Sequence, residues 1–291
     1  VESDSQVTAP VISLPIDGNE PGGFDVQWQR EIQDWVAYLL ATGVPQTTIT
    51  LRRQHLQHVA RRIGTEPYSL TFDRLVEWLA SRRWAPNTRR SYRSSLRAFY
   101  SWAQSTGRTD RSPAHLLPPV RVPRPKPRPT PEAAYRHALA VADARTRRAI
   151  LLAGQCGLRR GEIARVRPED VEDDAHGYLL RVVGKGGHVR LVPLTDELAE
   201  ELRSIDATWA FPSSRGGHLT PHHLGKLVSR CLPGKLTTHT LRHRAATVAY
   251  AATHDLRAVQ ELLGHAKPET TAIYTQVPDD AVRAAMVAAA A

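Results

Sequence analysis

The chain has 291 residues, room for two hydrophobic cores, and its 39 Lys and Arg against 29 Asp and Glu give a formal charge of +10 and a pI near 10.0. That excess favours a polyanionic partner, nucleic acid first, because each cation laid on a phosphate releases a condensed counterion. Composition argues against a membrane span, with no apolar run near the roughly 18 residues required, against a signal peptide, with an acidic, polar VESDSQVTAP start, and against a disulfide framework, with Cys156 and Cys231 alone and each in an apolar helical pattern.

Residues 1–23 carry Pro10, Pro15, Pro21 and the Gly22-Gly23 pair without periodicity and read as an arm or disordered leader. The chain opens on Val1 and its one methionine is Met286, so residues upstream are expected. Helical spacing starts at Phe24 and runs to Leu40, with Trp28, Ile32, Trp35, Val36 and Leu39 as its stripe and Gly43 as its cap. Thr47 to Ile63, stopped by Gly64, makes a second helix. Thr71 to Trp84, with Leu75, Val76, Trp78 and Leu79, makes a third, and Pro86 to Ser105, with Leu96, Phe99, Tyr100 and Ala103, a fourth. Four helices without strands predict a small bundle over 24–111. Its last helix carries Arg89, Arg90, Arg93 and Arg97, three of them on one face, and residues 24–111 contain no lysine. A solvated arginine face is the ordinary outcome of such a run. The scarcity of acidic partners favours phosphate or base-edge contact instead.

Residues 112–130 are dense in proline and contain Arg121, Arg124, Lys126 and Arg128 with no acid, which predicts a basic, extended linker. A second domain over 131–291 follows. It opens with helices at Pro131 to Val141 and Ala144 to Gln155, then Gly157 and a new helix in LRRGEIARV. The one convincing β signal is YLLRVV, the Gly184-Lys185-Gly186-Gly187 turn and HVRLVPL, a hairpin. Helices at Thr195 to Ile205 and Pro221 to Cys231 flank the FPSSRGGHLT loop. Thr240 to Ala252 has Leu241, Ala245, Val248 and Ala252 as its apolar stripe, which puts His239 and Arg242 off the buried face. A helix with Leu256, Val259 and Leu263 ends at Gly264 and throws His265 past its cap; Pro268 opens a short helix carrying Tyr274. Residues 280–291 read as an alanine-rich terminal helix that must pack on something, a neighbouring protomer being one choice.

Singly these polar residues are ordinary. An exposed His-x-x-Arg is usually surface, a helical tyrosine usually core, and a turn lysine usually solvated. Together they place a potential nucleophile, Tyr274, in a cationic neighbourhood. Arg159 and Glu162, one helical turn apart, make a guanidinium fork held by its own carboxylate, able to address two phosphate oxygens. Arg160 beside Arg159 competes for that place, and the spacing to Glu162 favours Arg159.

In that order and at those separations, GLRRGEI, VVGKGGHVRLVPL, HTLRH, LLGH and the tyrosine of TTAIYT resemble the tyrosine recombinase (phage integrase) family. The resemblance covers about Thr130 to Pro278. It implies a mainly α fold, in which a four-helix core-binding bundle precedes a mostly helical catalytic domain with a small antiparallel β-sheet. It implies that Arg159 and Arg242 grip the scissile phosphate, with His265 as a further phosphate ligand and His239 assisting proton movement at the nucleophile. Lys185 is then the acid for the departing 5′ oxygen and Tyr274 the nucleophile. Glu162 supports Arg159, while Arg89, Arg90, Arg93, Arg97, Arg124 and Lys126 track DNA. No cofactor and no metal are implied, since the product is a 3′-phosphotyrosyl bond that keeps the ester energy. Partners implied are double-stranded DNA with core-type sites, a homotetramer on that DNA and a directionality factor, in a bacterial cytoplasm at the nucleoid. The arm-binding domain of larger phage integrases is expected to be absent. HTLRH is followed by Arg244 and Ala245, where relatives carry a small residue and an aromatic, so local packing should differ.

Three other readings compete. A type IB topoisomerase shares the nucleophile and the cations. A non-catalytic DNA-binding regulator shares the basic helices. A zinc protein would draw on His239 and His243 at i, i+4 with His218, His222 and His223, but lacks the helix glutamate and a cysteine ligand.

Overall fold

The structure is a computed structural model and describes residues 26–123, 127–184 and 187–264. The leader, Arg124, Lys126, Lys185, His265, Tyr274 and the 280–291 helix lie outside the described residues. The chain divides into two compact units, Val1–Arg124 and Pro125–Ala291.

The first unit is built from α1 (Val26–Ala41), α2 (Gln46–Ile63), α3 (Phe72–Ala80) and α4 (Pro86–Ser105). Each boundary has a local cause. Gly64 ends α2 in the left-handed region at φ 70°, the Thr71 hydroxyl accepts from the Arg74 N–H to open α3, and Pro86 fills the first turn of α4, where its missing N–H costs nothing. Phe99 is fully buried, stacked on Trp28 with ring centroids 5.7 Å apart and met edge-on by Trp35 at 5.4 Å. Such aromatic contacts add to the large area these rings remove from water.

Three expectations need correction here. The third helix stops at Ala80 rather than Trp84, because the Ser81 hydroxyl takes the Trp78 carbonyl and Arg89 collects the carbonyls of Leu79, Arg82 and Trp84. Val76, read as part of the stripe, is exposed. The segment read as linker from residue 112 begins inside this unit: Ala114 and Leu117 pack in its core, and Arg93 donates two bonds to the Leu117 carbonyl, at 2.9 and 2.7 Å.

The second unit contains α5 (Glu132–Val141), α6 (Ala144–Gly154), the one-turn α7 (Arg160–Ile163), β1 (Val171–Asp174), β2 (Gly177–Val183), β3 (Val189–Leu194), α8 (Asp196–Arg203), α9 (Pro221–Cys231), α10 (Thr238–Thr253) and α11 (Leu256–Leu263). The sheet is antiparallel in the order β1-β2-β3, with Leu180 opposite both Val171 and Val192. These three residues and Val182 turn into the core. The β1 strand has no β signal because its VEDD sequence is acidic and three of its four residues are exposed. Buried α6, with Ile150, Leu152 and Ala153 at zero exposure, is the element on which α10 packs.

The face of α10 also differs from the expectation. Val248 is 48% exposed and Arg242 only 2%, and Ala252 is exposed. The helix buries Leu241, Arg242, His243, Ala245 and Ala246, so its cation lies inside, where its charge is matched by partners described below. Arg244 lies over the Tyr135 ring at 3.8 Å and bonds Glu132 and the Gly154 carbonyl, tying α10 to α5 and α6. Among the described residues no helix is long and apolar enough to cross a membrane.

Gly157 is a point where chain conformation and packing both demand glycine. Its φ is +66°, and an added Cβ would stand 2.6 Å from Leu263 Cδ2. Gly157→Ala should therefore lower stability by about 2–3 kcal/mol, read as a urea-midpoint shift, whereas Gly234→Ala, with φ +63° and open space, should lose only about 1 kcal/mol. Equal losses would show that the close approach to α11 contributes nothing.

Candidate active site: an arginine-lined cleft

Glu162 is the hub. As the third residue of α7 it reaches back to accept the Arg159 main-chain N–H at 2.8 Å, the capping arrangement that short helices use to satisfy a free N-terminal donor. The same carboxylate accepts Arg159 Nη1 at 2.7 Å and both terminal nitrogens of Arg190 on β3, at 3.2 and 2.9 Å. Arg242 Nη1 stands 4.0 Å away, and the Glu162 side chain is 3% exposed. Burial would raise this carboxyl, but the hydrogen bonds from Arg190 and Arg159 and the Arg190 charge outweigh it and hold it at about 2.

The three arginines share a second anchor. The last carbonyls of a helix have no partner within it and carry its negative dipole end. At the end of α11, Arg190 Nε donates to Leu262 O at 3.1 Å, Arg242 Nη2 to Leu263 O at 2.8 Å and Arg159 Nη2 to Gly264 O at 3.4 Å. Arg242 Nη1 also holds the Gly157 carbonyl. The chain directly before His265 is thus fixed by the same guanidinium groups that Glu162 orients.

Beside this network lies a cleft of about 580 Å³, lined by Arg159, Arg160, His222, Lys226, His239 and Arg242 together with Leu158 and small and hydroxyl residues, and, among the described residues, by no carboxylate. Such a lining suits an anion with several oxygens. His239 is held below its usual range by burial first and then by the charges of Arg242, Arg159 and Arg160, so it is a neutral imidazole at pH 7. Fixed donors in a site with restricted water stabilise charge that develops on phosphate oxygens without reorganising.

The structure brings together Arg159, Glu162, His239 and Arg242. Lys185, His265 and Tyr274 lie outside the described residues, but two of their chain neighbours do not. A Cβ built on Gly184 would stand 3.7 Å from Glu162 Oε1 and 3.8 Å from Arg190 Nη1, and one on Gly264 would stand 2.8 Å from Arg190 Cδ. Both Arg159 and Arg160 line the cleft; only Arg159 bonds Glu162. In the bundle, Arg89 and Arg93 direct N–H groups at main-chain carbonyls. Arg90 is exposed and Arg97 half-buried, and Arg124 and Lys126 fall outside the described residues.

Sequence reasoning missed Arg190, and it read His222 only as a possible zinc ligand and Lys226 not at all. His222, Lys226 and Ser229 follow each other at i, i+4 and i+7, a polar face opposite the buried Leu224 and Val228, and that spacing was available. Arg190 gave only the weak cue of an arginine in an otherwise apolar strand. As for zinc, His239 and His243 approach each other at 3.0 Å between Nε2 atoms, and among the described residues no group of three or more His, Cys, Asp or Glu could hold a metal ion.

The model of the phage integrase family matches residues 132–280. The tyrosine recombinase XerC of Myxococcus xanthus is 33% identical over 222 residues, covering 66% of this chain and 72% of that protein. XerC of Corynebacterium efficiens is 32% identical over 277 residues, covering 86% and 88%. Among solved structures, a lambda integrase dimer bound to a COC′ core site superposes with a TM-score of 0.70 at 17% identity, over 84% of this chain and 76% of that one. The XerH recombinase bound to its difH substrate gives 0.66 at 21%, over 88% and 82%. The arrangement of helices and small sheet is the one these chains share.

Because the Glu162 carboxyl is lowered on folding, its contribution to stability is complete above its unfolded value of 4.5 and disappears as pH falls towards 2. The stability difference between the native chain and Glu162→Gln should shrink by about 3 kcal/mol from pH 5.5 to pH 2, measured by urea unfolding. A difference that does not change with pH would mean Glu162 is not held as a carboxylate.

Proposed function

The chain belongs to the phage integrase family, and on that premise we propose that it is a site-specific DNA recombinase that breaks and rejoins strands through a 3′-phosphotyrosyl intermediate and a Holliday junction. The observation that carries this reading is the carboxylate-free cleft in which Arg159, Arg242 and His239 converge. In the proposed cleavage step the Tyr274 oxygen attacks phosphorus, the new O–P bond forms as the bond to the 5′ oxygen breaks, and Lys185 gives that oxygen its proton. Arg159, Arg242 and His265 hold the non-bridging oxygens while charge builds on them, and His239 assists proton movement at the phenol. The phosphotyrosyl ester is as energetic as the bond it replaced. A 5′-hydroxyl from a second duplex reverses the step on a new partner, so no nucleotide is consumed.

Glu162 supports the reading as a fixed counter-charge that holds Arg159 in place. We assign the chemistry to the second unit and DNA tracking to the first, with Arg90 and Arg97 as its most available cations and Arg89, Arg93, Arg124 and Lys126 as further contacts. The two solved relatives are described as bound to a core site and to difH, which supports duplex DNA with core-type sites as partner here. Exchange between two duplexes cut at both ends requires four protomers, and the apolar 280–291 segment is the proposed contact between them. A directionality factor would bias the outcome.

A nicked duplex carrying the core site should trap a covalent complex in EDTA. Tyr274→Phe should abolish it with DNA affinity within about threefold, and Arg159→Ala should slow cleavage by about 10²–10³-fold. An adduct formed by the phenylalanine variant would remove Tyr274 as nucleophile. Arg90→Ala and Arg97→Ala should each reduce the slope of log K against log salt by about 0.9, measured by fluorescence anisotropy; unchanged slopes would take both residues out of the DNA contact.

A further inference from the structure

His239 is one end of a hydrogen-bonded chain that starts in the proline-rich segment. The main-chain N–H of Arg128 donates to His243 Nδ1 at 3.1 Å. An amide N–H can only donate, so His243 Nδ1 is an acceptor and the ring's proton sits on Nε2. That Nε2 lies 3.0 Å from His239 Nε2, which must then accept, leaving the His239 proton on Nδ1. Both rings are neutral at pH 7. His243 is pushed down to about 4 by burial and by the charges of His239 and Arg242, and His239 is lowered for the reasons given above.

The sequence builds the donor end. In Pro127-Arg128-Pro129-Thr130-Pro131 the prolines alternate with residues that carry an N–H. In extended chain, successive N–H groups point to opposite sides, and each residue before a proline is confined to extended geometry. The two N–H groups present both serve α10: Arg128 donates to His243 and Thr130 to the Thr240 carbonyl at 3.0 Å. Thr130 is buried, and its hydroxyl meets that of Thr240 at 2.8 Å. The Arg128 side chain is exposed, so this residue's contribution to α10 comes from its backbone.

We infer that the 127–131 segment, through His243, locks His239 in the Nδ1–H tautomer, so that His239 meets the cleft's ligand as a hydrogen-bond donor and becomes the base for the phenol proton only once His243 lets go of its Nε2. His243 is then a positioning residue, and the catalytic consequence rests on the proposed cleavage reaction. In the locked state His239 Nε2 is occupied and Nδ1 is protonated. The ring can stabilise an oxygen of the phosphate or the phenol, and it takes up a proton only after His243 releases it.

The test separates backbone from charge. Long-range ¹H–¹⁵N spectra of the full chain at pH 7.5 should show the His239 proton on Nδ1 and the His243 proton on Nε2. Arg128→Ala keeps the N–H and should preserve both tautomers and the rate of covalent adduct formation. Arg128→Pro removes the same guanidinium as Arg128→Ala and the donor besides, within a segment already shaped for proline. It should let His239 populate the Nε2–H form and should slow cleavage by about 10- to 100-fold, part of what a positioned acid–base group contributes, with DNA affinity within about threefold. His243→Phe should match it, and His243→Gln, which keeps an N–H near the Nε2 position, should recover most of the rate. A wild-type His239 protonated on Nε2, or equal spectra and rates for Arg128→Ala and Arg128→Pro, would overturn the inference. Absence of any adduct with the wild-type chain would instead remove the cleavage reading, while the tautomer spectra still decide the lock.

Discussion

A carboxylate buried among three guanidinium groups holds the second unit's site in shape. Glu162 alone would be expelled from such a place, since taking a charge out of water costs several kcal/mol. Its bonds to Arg159 and Arg190 and its closeness to Arg242 repay that cost, and they also explain how Arg242 can be nearly inaccessible on the buried face of its helix. Removing the carboxylate would leave these cations facing one another, so the hub and the cleft stand together.

The same arginines settle what happens at the end of α11. Each of its last three carbonyls, from Leu262 to Gly264, receives a different guanidinium. The helix end, the α7 start and β3 are thereby fixed to one another by charged donors with strong directional preference. An arginine has five N–H groups, so the bonds of Arg159 to Glu162 and to the Gly264 carbonyl leave donors over for a ligand. Rotation of the guanidinium is restricted before any ligand arrives, which is the form of preorganisation that phosphoryl transfer relies on.

Proline plays a comparable part at residues 127–131. An alternation that composition alone marks as a stiff spacer turns out to leave N–H groups only where α10 can accept them. The segment therefore acts on the helix that carries His239 and Arg242, and at Arg128 its influence is exerted through a backbone donor whose exposed side chain could be changed without disturbing it.

Much was legible without coordinates. Periodicity located the four bundle helices and most of their buried residues, the Gly-rich turn located the hairpin, and ordered motifs identified the family and singled out Arg159, Glu162, His239 and Arg242, which the fold brings together. These features depend on neighbours in sequence, where spacing of 2 or 3.6 and glycine or proline chemistry act directly. The burial of Arg242 and the rotation of α10 away from Val248 were not legible, because a helix's buried face is chosen by what packs on it; here the choice follows Glu162 and two carbonyls from remote segments. β1 was missed because VEDD pairs through its backbone while three of its four side chains face water. Arg190 and the His243 relay belong to the same class. Sequence determined which chemistry the chain carries; only the tertiary structure decided which donors meet which acceptors, since those pairings span tens to more than a hundred residues and no local preference encodes them.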